Sequence, residues 1–257
     1  MVNRKRLNIE WLRLMDNQDN ICDPGWGSQD RLKKADSIWE TMLHFGGPGI
    51  ANSQWLDIGC GSGGIAAALA PRVKYMVGID PEPWRRWNSF QESNKNLEFI
   101  QESSEKLTVT SRSVDVVICN QVYEHVDDPR NLIEEIHRIL KPGGFCYFAG
   151  PNLVYPIEPH VFWPFIHWFP RGFARKLMRL FRAKHLVDAN SVTYWQLMAW
   201  FSKFAVINAV PYISKHPKKY GRKGVVSHFV SYMPYGLLEI LTPLSPGFVF
   251  VLSKREQ

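Results

Sequence analysis

The 257-residue sequence predicts an α/β fold organised on a mostly parallel sheet, on three observations. An apolar stretch, Gln54-Trp55-Leu56-Asp57-Ile58, runs into Gly59, Gly61, Gly63 and Gly64 and then into an alanine-rich helix. Strand-like and helix-like patterns alternate from Trp55 to Asn152, which implies parallel pairing through right-handed crossovers. A second strand, Val73 to Asp80, ends in an acid 21 positions after Gly59, where such folds place a ribose-binding carboxylate.

The glycine loop is the centre of the chain. Glycine lets the backbone turn sharply and lets a ligand come close, and amides at the start of the next helix then face that ligand. The loop also satisfies G-x-G-x-x-G, the usual mark of a dinucleotide site. Asp57, two residues before the first glycine, argues against a pyrophosphate there. Asp57 and Asp80, without a phosphate-binding lysine, point to a nucleoside that carries positive charge.

At these residues the sequence resembles the class I S-adenosylmethionine-dependent methyltransferase family. The likeness begins at Asp57 to Gly63 and continues through Ile79-Asp80-Pro81, Ser104-Glu105-Lys106-Leu107 and Val114 to Val126. It closes with Leu140-Lys141-Pro142-Gly143-Gly144 before a strand, so residues 53–152 follow the family in order and spacing. The resemblance implies a Rossmann-like seven-stranded sheet with helices on both faces and an antiparallel last strand. It implies S-adenosylmethionine as cofactor, with Asp57, Gly59, Cys60, Gly61 and Gly63 around the methionine part and Asp80 with Pro81 at the ribose. Ser104 and Glu105 would flank adenine, and Asn120 ends the fourth strand at the same edge. Ser103 departs from the pattern, since many family members carry Asp there.

Each element has a sequence reason. Ser28 reads as the cap of a helix to about Phe45, with Leu32, Ala35, Ile38, Trp39 and Met42 on one face. Family members often lay such a segment over the cofactor, so Trp11, Trp26 and Trp39 are candidates to line a lid, against the more common fate of core packing. Strands are expected near 55–59, 75–79, 97–101, 114–119 and 144–149, and helices over Pro83–Asn94 and Pro129–Leu140. Leu132, Ile136, Ile139 and Leu140 should face inward. After the fifth strand comes an aromatic and proline-rich run, Tyr155 to Pro170, and then an amphipathic helix, Arg171 to Lys184. That helix has Phe173, Leu177, Leu180 and Phe181 at helical spacing and six Lys or Arg with no acid. Ser191 to Thr193 can cap a helix to about Phe201, and Ala205–Ile213 and Gly247–Ser253 read as a final pair of strands, a hairpin in family members.

The resulting plan is one methyltransferase domain over 1–257. Residues 1–50 form a helical cover, 51–152 a cofactor-binding core, 153–190 a substrate- or membrane-facing insertion, and 191–257 the helix and strands that complete the sheet.

Composition sets bounds on function. Hydrophobic residues make up 45% and charged residues 21%, which are globular values that exclude a disordered chain or a fibre. Cysteines 22, 60, 119 and 146 lack metal-ligand spacing and read as small packing residues in a reducing compartment. No stretch reaches the roughly 18 apolar residues of a membrane span, and residues 1–30 contain no apolar run resembling a signal peptide. A cytoplasmic protein is expected, with attachment to the cytoplasmic face of a membrane as the alternative. Of the 31 basic residues, 11 lie in two acid-free segments, 171–184 and 215–223. Nucleic acid is disfavoured as their partner, because no recognised RNA- or DNA-binding motif appears and no base-flipping signature follows the fourth strand. The aromatic and basic run at 161–184 suits an anionic membrane surface, or else a lid with its apolar side on the domain.

Methyl transfer needs alignment, exclusion of water and, for a hydroxyl acceptor, removal of a proton. His125, after the fourth strand, and His160, in Glu158-Pro159-His160, are candidates for that base, with Glu124 or Glu158 to orient the imidazole. Bracing of the loop by His125, and a hydrogen-bonded loop role for His160, are the structural alternatives. Metal-dependent catalysis is not expected. The acceptor reads as a small or lipid-linked molecule, methylated on oxygen, with nitrogen or carbon methylation, or a silent cofactor-binding module, as alternatives.

Overall fold

The computed structural model describes residues 28–157, 163–181 and 190–255. Trp11, Trp26, Cys22, Glu158, His160 and the ends of the 161–184 segment lie outside the described residues.

Seven strands form one sheet: β1 Gln54–Ile58, β2 Tyr75–Asp80, β3 Leu97–Gln101, β4 Val114–Asn120, β5 Leu140–Pro151, β6 Phe204–Asn208 and β7 Gly247–Lys254. Their spatial order is β3-β2-β1-β4-β5-β7-β6. The first five pair in parallel, and β7 runs antiparallel to both β5 and β6. β1 and β4 lie at the centre, with Leu56 beside Val117 and Ile58 beside Cys119. Covered on both faces, they read as continuous apolar runs with little alternation.

The helices are α1 Ser28–Gly46, α2 Gly64–Leu69, α3 Trp87–Ser93, α4 Pro129–Ile139, α5 Arg171–Leu180, α6 Tyr194–Trp200, α7 Val210–Lys215, α8 Val225–Tyr232 and α9 Tyr235–Leu241. One face of the sheet is covered by α1, α2, α3 and α7 through Ile38, Met42, Ala66, Leu69, Phe90 and Ile213. The other is covered by α4 and α6 through Leu132, Ile136, Ile139, Leu197 and Phe201. Leu132, Ile136 and Ile139 are fully buried, each contributing about 1.5–3 kcal/mol. The Asp128 carboxylate fixes the start of α4 by accepting the amides of Arg130 and Asn131 at 3.0 and 3.2 Å. Thr193 and Gln196 do the same for α6 as a capping box.

Several expectations are corrected. Leu140 opens β5 where it was expected to close α4. The helix expected from Pro83 begins only at Trp87, because the Asp80 carboxylate holds the Glu82 amide and the Trp84 indole in a loop. The strand expected to reach Ile213 ends at Asn208. There the Asn208 side chain accepts the Val210 amide, and Pro211 sits in the first turn of α7. β6 and β7 pair as expected, but they are joined through α7, α8 and α9 and form no tight hairpin.

The α5 helix also faces differently. Ala174 and Met178 are its buried side, packed on Ile166, while Phe173, Leu180 and Phe181 are 54%, 76% and 64% exposed. Trp168 ties this region to the core by donating its indole N–H to the Leu153 carbonyl at 2.7 Å. Trp39 lines no lid: it stacks on Trp55, with ring centroids 6.0 Å apart. Cys60, Cys119 and Cys146 are buried free thiols, raised in pKa mainly by burial, in keeping with packing roles.

Candidate functional site

The loop after β1 is held from below by its neighbours. The Cys60 amide donates to Ile79 at 3.0 Å, and the Trp87 indole donates to the Gly61 carbonyl at 2.9 Å. Gly59, Gly61 and Gly63 have φ of 66°, 52° and 82°, a region that disfavours any side chain. A Cβ on Gly63 would stand 2.4 Å from Phe99, whose ring stacks on Trp87, and one on Gly59 would stand 2.6 Å from Val122. At Gly61 the nearest atom is 4.0 Å away, so this glycine faces open space.

Asp57 lies at that opening and is 3% exposed. Its Oδ2 is buried and accepts no hydrogen bond, and the same holds for Oδ1 of Asn120 at the end of β4. Burial pushes the Asp57 carboxyl up to about 8, with Asp80 adding to the rise and Arg31 opposing it. Two buried acceptors without a donor call for a ligand that supplies N–H groups and positive charge.

Asp80 has a different surrounding. Its Oδ2 accepts the Gly61 amide at 2.8 Å, and its Oδ1 accepts the Glu82 amide at 3.1 Å and the Trp84 indole at 3.4 Å. It thus ties β2 to the glycine loop and stands behind the opening.

A cavity of about 230 Å³ is lined by Asp57, Gly59, Cys60, Gly61, Asn120 and His125 among the expected site residues. The structure adds Gln121 and, from α1, Asp30, Arg31 and Lys34. Gly63 and Asp80 support this cavity without lining it. Neither Pro81, exposed beyond β2, nor Ser104 and Glu105 line it, and the Glu105 carboxylate accepts the Asp127 amide at 3.0 Å. Arg31 and Lys34 left no sequence signal, because they read as the solvent side of an amphipathic helix. Gln121, at φ 58°, holds a left-handed conformation that is rare for a residue with a side chain.

Lys34 and Gln121 also line a second, larger cavity of about 670 Å³. It lies between the top of β5 and β7 and the helices α7, α8 and α9. Val230, Met233, Leu238, Leu241 and Phe248 form its walls. The two cavities therefore share a wall at the end of β4, which is the arrangement a two-substrate transfer site requires.

Residues 56–148 match the sequence profile of a family described as a methyltransferase domain. Over this segment the chain is similar to a methyltransferase domain. The curated ubiquinone biosynthesis O-methyltransferase of Acinetobacter baumannii (strain AYE) is 35% identical over 109 residues, 40% of this chain and 46% of that protein. This chain thus spans about half the length of the curated relatives it matches. A solved S-adenosylmethionine-dependent methyltransferase from Mesorhizobium loti superposes with a TM-score of 0.54 at 18% identity, covering 87% of this chain and 100% of the other. A geranyl diphosphate methyltransferase in complex with GPP and sinefungin gives 0.53 at 13% identity, covering 88% and 80%. At such identities these two likenesses concern the fold. The matched segment runs from Leu56, the third residue of the strand β1, into β5, and it contains the whole glycine loop.

Proposed function

We propose that the chain transfers a methyl group from S-adenosylmethionine to the oxygen of a small or lipid-linked acceptor. The observation that carries this reading is the pair of unbonded buried acceptors, Asp57 Oδ2 and Asn120 Oδ1, in a cavity that shares Lys34 and Gln121 with a larger apolar one. When bound, S-adenosylmethionine supplies a methyl group made electrophilic by its sulfonium. Asp57 and Asn120 accept hydrogen bonds from the methionyl ammonium, Gly59, Cys60 and Gly61 let the ligand approach the backbone, and Asp80 with Pro81 holds the ribose edge. Ser104 and Glu105 belong to the adenine side. The larger cavity receives the acceptor and shields it from water, which is most of what an in-line displacement asks of a protein.

His125 is exposed and lines the smaller cavity, a position from which it takes the proton of a hydroxyl acceptor. His160 remains the other proposed base. Oxygen as the methylated atom is supported by the activity for which the curated relatives are named.

In this reading the chain works as one domain, 1–257. The first 50 residues cover the donor, 51–152 bind it, 153–190 face acceptor or membrane, and 191–257 complete the sheet. The cover is supported by α1, which brings Asp30, Arg31 and Lys34 to the cavity. A second element of the proposal concerns 161–184 as a contact for an anionic membrane surface. Its support is the exposure of Phe173, Leu180 and Phe181 on a helix that also carries Arg175, Lys176 and Arg179 and no acid.

The test is transfer of tritiated methyl from S-adenosylmethionine to a panel of phenols, carboxylic acids, amines and prenylated quinols. Label on an oxygen acceptor supports the reading. Donor binding with no transfer to any member would favour a silent binding module, and label on nitrogen or carbon would correct the atom.

A further inference from the structure

The larger cavity is lined mainly by apolar side chains and carries two cations. Val230 comes from α8, Leu238 and Leu241 from α9, Met233 from the turn between them, and Phe248 is the second residue of β7. Lys34 and Arg222 are the only charged side chains lining it among the described residues, and no acid accompanies them. Burial, with the nearby Arg222 charge adding to it, holds the Lys34 ammonium down to about 8. Two neighbouring cations on the lining of an otherwise uncharged chamber, Lys34 half-buried and Arg222 exposed, favour an anion between them.

We propose that this cavity takes an acceptor with an apolar body and an anionic head, the head lying between Lys34 and Arg222. The inference rests on the reading that the adjoining Asp57 cavity holds the methyl donor. Lys34 lines both cavities, so the head lies on the donor side and the body extends between α8 and α9. Val226, Leu241 and Leu244 are exposed along this wall, which lets a long body continue out of the chamber. A carboxylate head is already ionised at neutral pH and has no proton to lose, whereas a phenol head is mostly neutral and needs a base.

The test is calorimetric titration of the full chain with three probes of equal chain length, decanoate, decanol and decyltrimethylammonium. Decanoate should bind at least about tenfold more tightly than decyltrimethylammonium. Lys34→Met and Arg222→Met should each weaken decanoate about tenfold while changing decanol little, in line with loss of a charge-assisted contact. Leu241→Glu, at a partly exposed wall position, should abolish decanoate binding with an unchanged circular dichroism spectrum. Equal binding of the three probes, or decanoate affinity unmoved by both cation substitutions, would overturn the proposal. A separate titration of the same protein with S-adenosylhomocysteine reports on the donor reading alone. Decanoate selectivity without nucleoside binding sinks that reading, and nucleoside binding without decanoate selectivity sinks this one.

Discussion

The Gly61 amide donates to the Asp80 carboxylate at 2.8 Å, so the glycine loop after β1 and the end of β2 are one mechanical unit. In the proposed reading Asp80 also takes the ribose, so the carboxylate that fixes the loop would couple loop shape to donor affinity. Asp80→Ala should therefore lower S-adenosylhomocysteine affinity at least about tenfold and lower fold stability by about 1–3 kcal/mol. Calorimetry and urea denaturation check the two halves, and a stability loss with unchanged affinity would remove the ribose assignment.

Glycines 61 and 63 share a backbone conformation but not a surrounding. Gly63→Ala drives a Cβ into Phe99 in addition to straining the backbone, and it should cost more than about 3 kcal/mol. Gly61→Ala meets open space, should cost only the backbone term of about 1–2 kcal/mol, and should still block the donor. Urea denaturation of both variants, with donor titration of the second, decides the matter.

The Asp57 carboxyl, raised to about 8, gives a pH dependence of defined sign. Between its unfolded value of about 4 and 8 the folded chain binds the extra proton, so ligand-free stability falls as pH rises through this window. Asp57→Asn should thus raise the melting temperature at pH 8 relative to wild type while abolishing donor binding. In the wild type, a cationic donor should bind more tightly as pH rises from 6 to 8 and should release a proton at pH 7. Titration in buffers of different ionisation enthalpy measures that proton.

The core of the fold was legible because its signals are local. The glycines, the acid after β2, the alternation over 55–152 and the periodicity of α4 each follow from one stretch of chain. Residues 209–246 were not legible. Pro211 and Asn208 convert a strand pattern into α7, and α8 is apolar without burying any residue, so its pattern names no inner face. The second cavity and its two cations arise only when these helices fold over β5 and β7. The stripe on α5 illustrates the same limit: spacing identifies an apolar face but not what covers it, and Phe173 and Leu180 face solvent.

That exposed face makes its own prediction. Phe173→Asp and Leu180→Asp should leave the melting temperature within about 0.5 kcal/mol equivalent, as surface changes do. Each should reduce sedimentation with vesicles of anionic phospholipid. Equal sedimentation of wild type with anionic and zwitterionic vesicles, or none with either, would remove the membrane contact.

The two histidines separate by their pH profiles. If the acceptor is a phenol or alcohol and His125 is the base, His125→Ala should lower kcat about 100-fold or more and abolish the acidic limb of its pH dependence. His160→Ala would then keep that limb. Two unaltered profiles would leave neither histidine as base and would favour an acceptor already ionised.

The most direct test of the account is calorimetric titration of the full chain with S-adenosylmethionine and with S-adenosylhomocysteine. The arrangement around Asp57, Asn120 and Gly61 predicts micromolar, one-to-one binding of both ligands that Asp57→Asn abolishes. Absence of binding by either ligand to the folded chain, or binding that Asp57→Asn leaves unchanged, would contradict it.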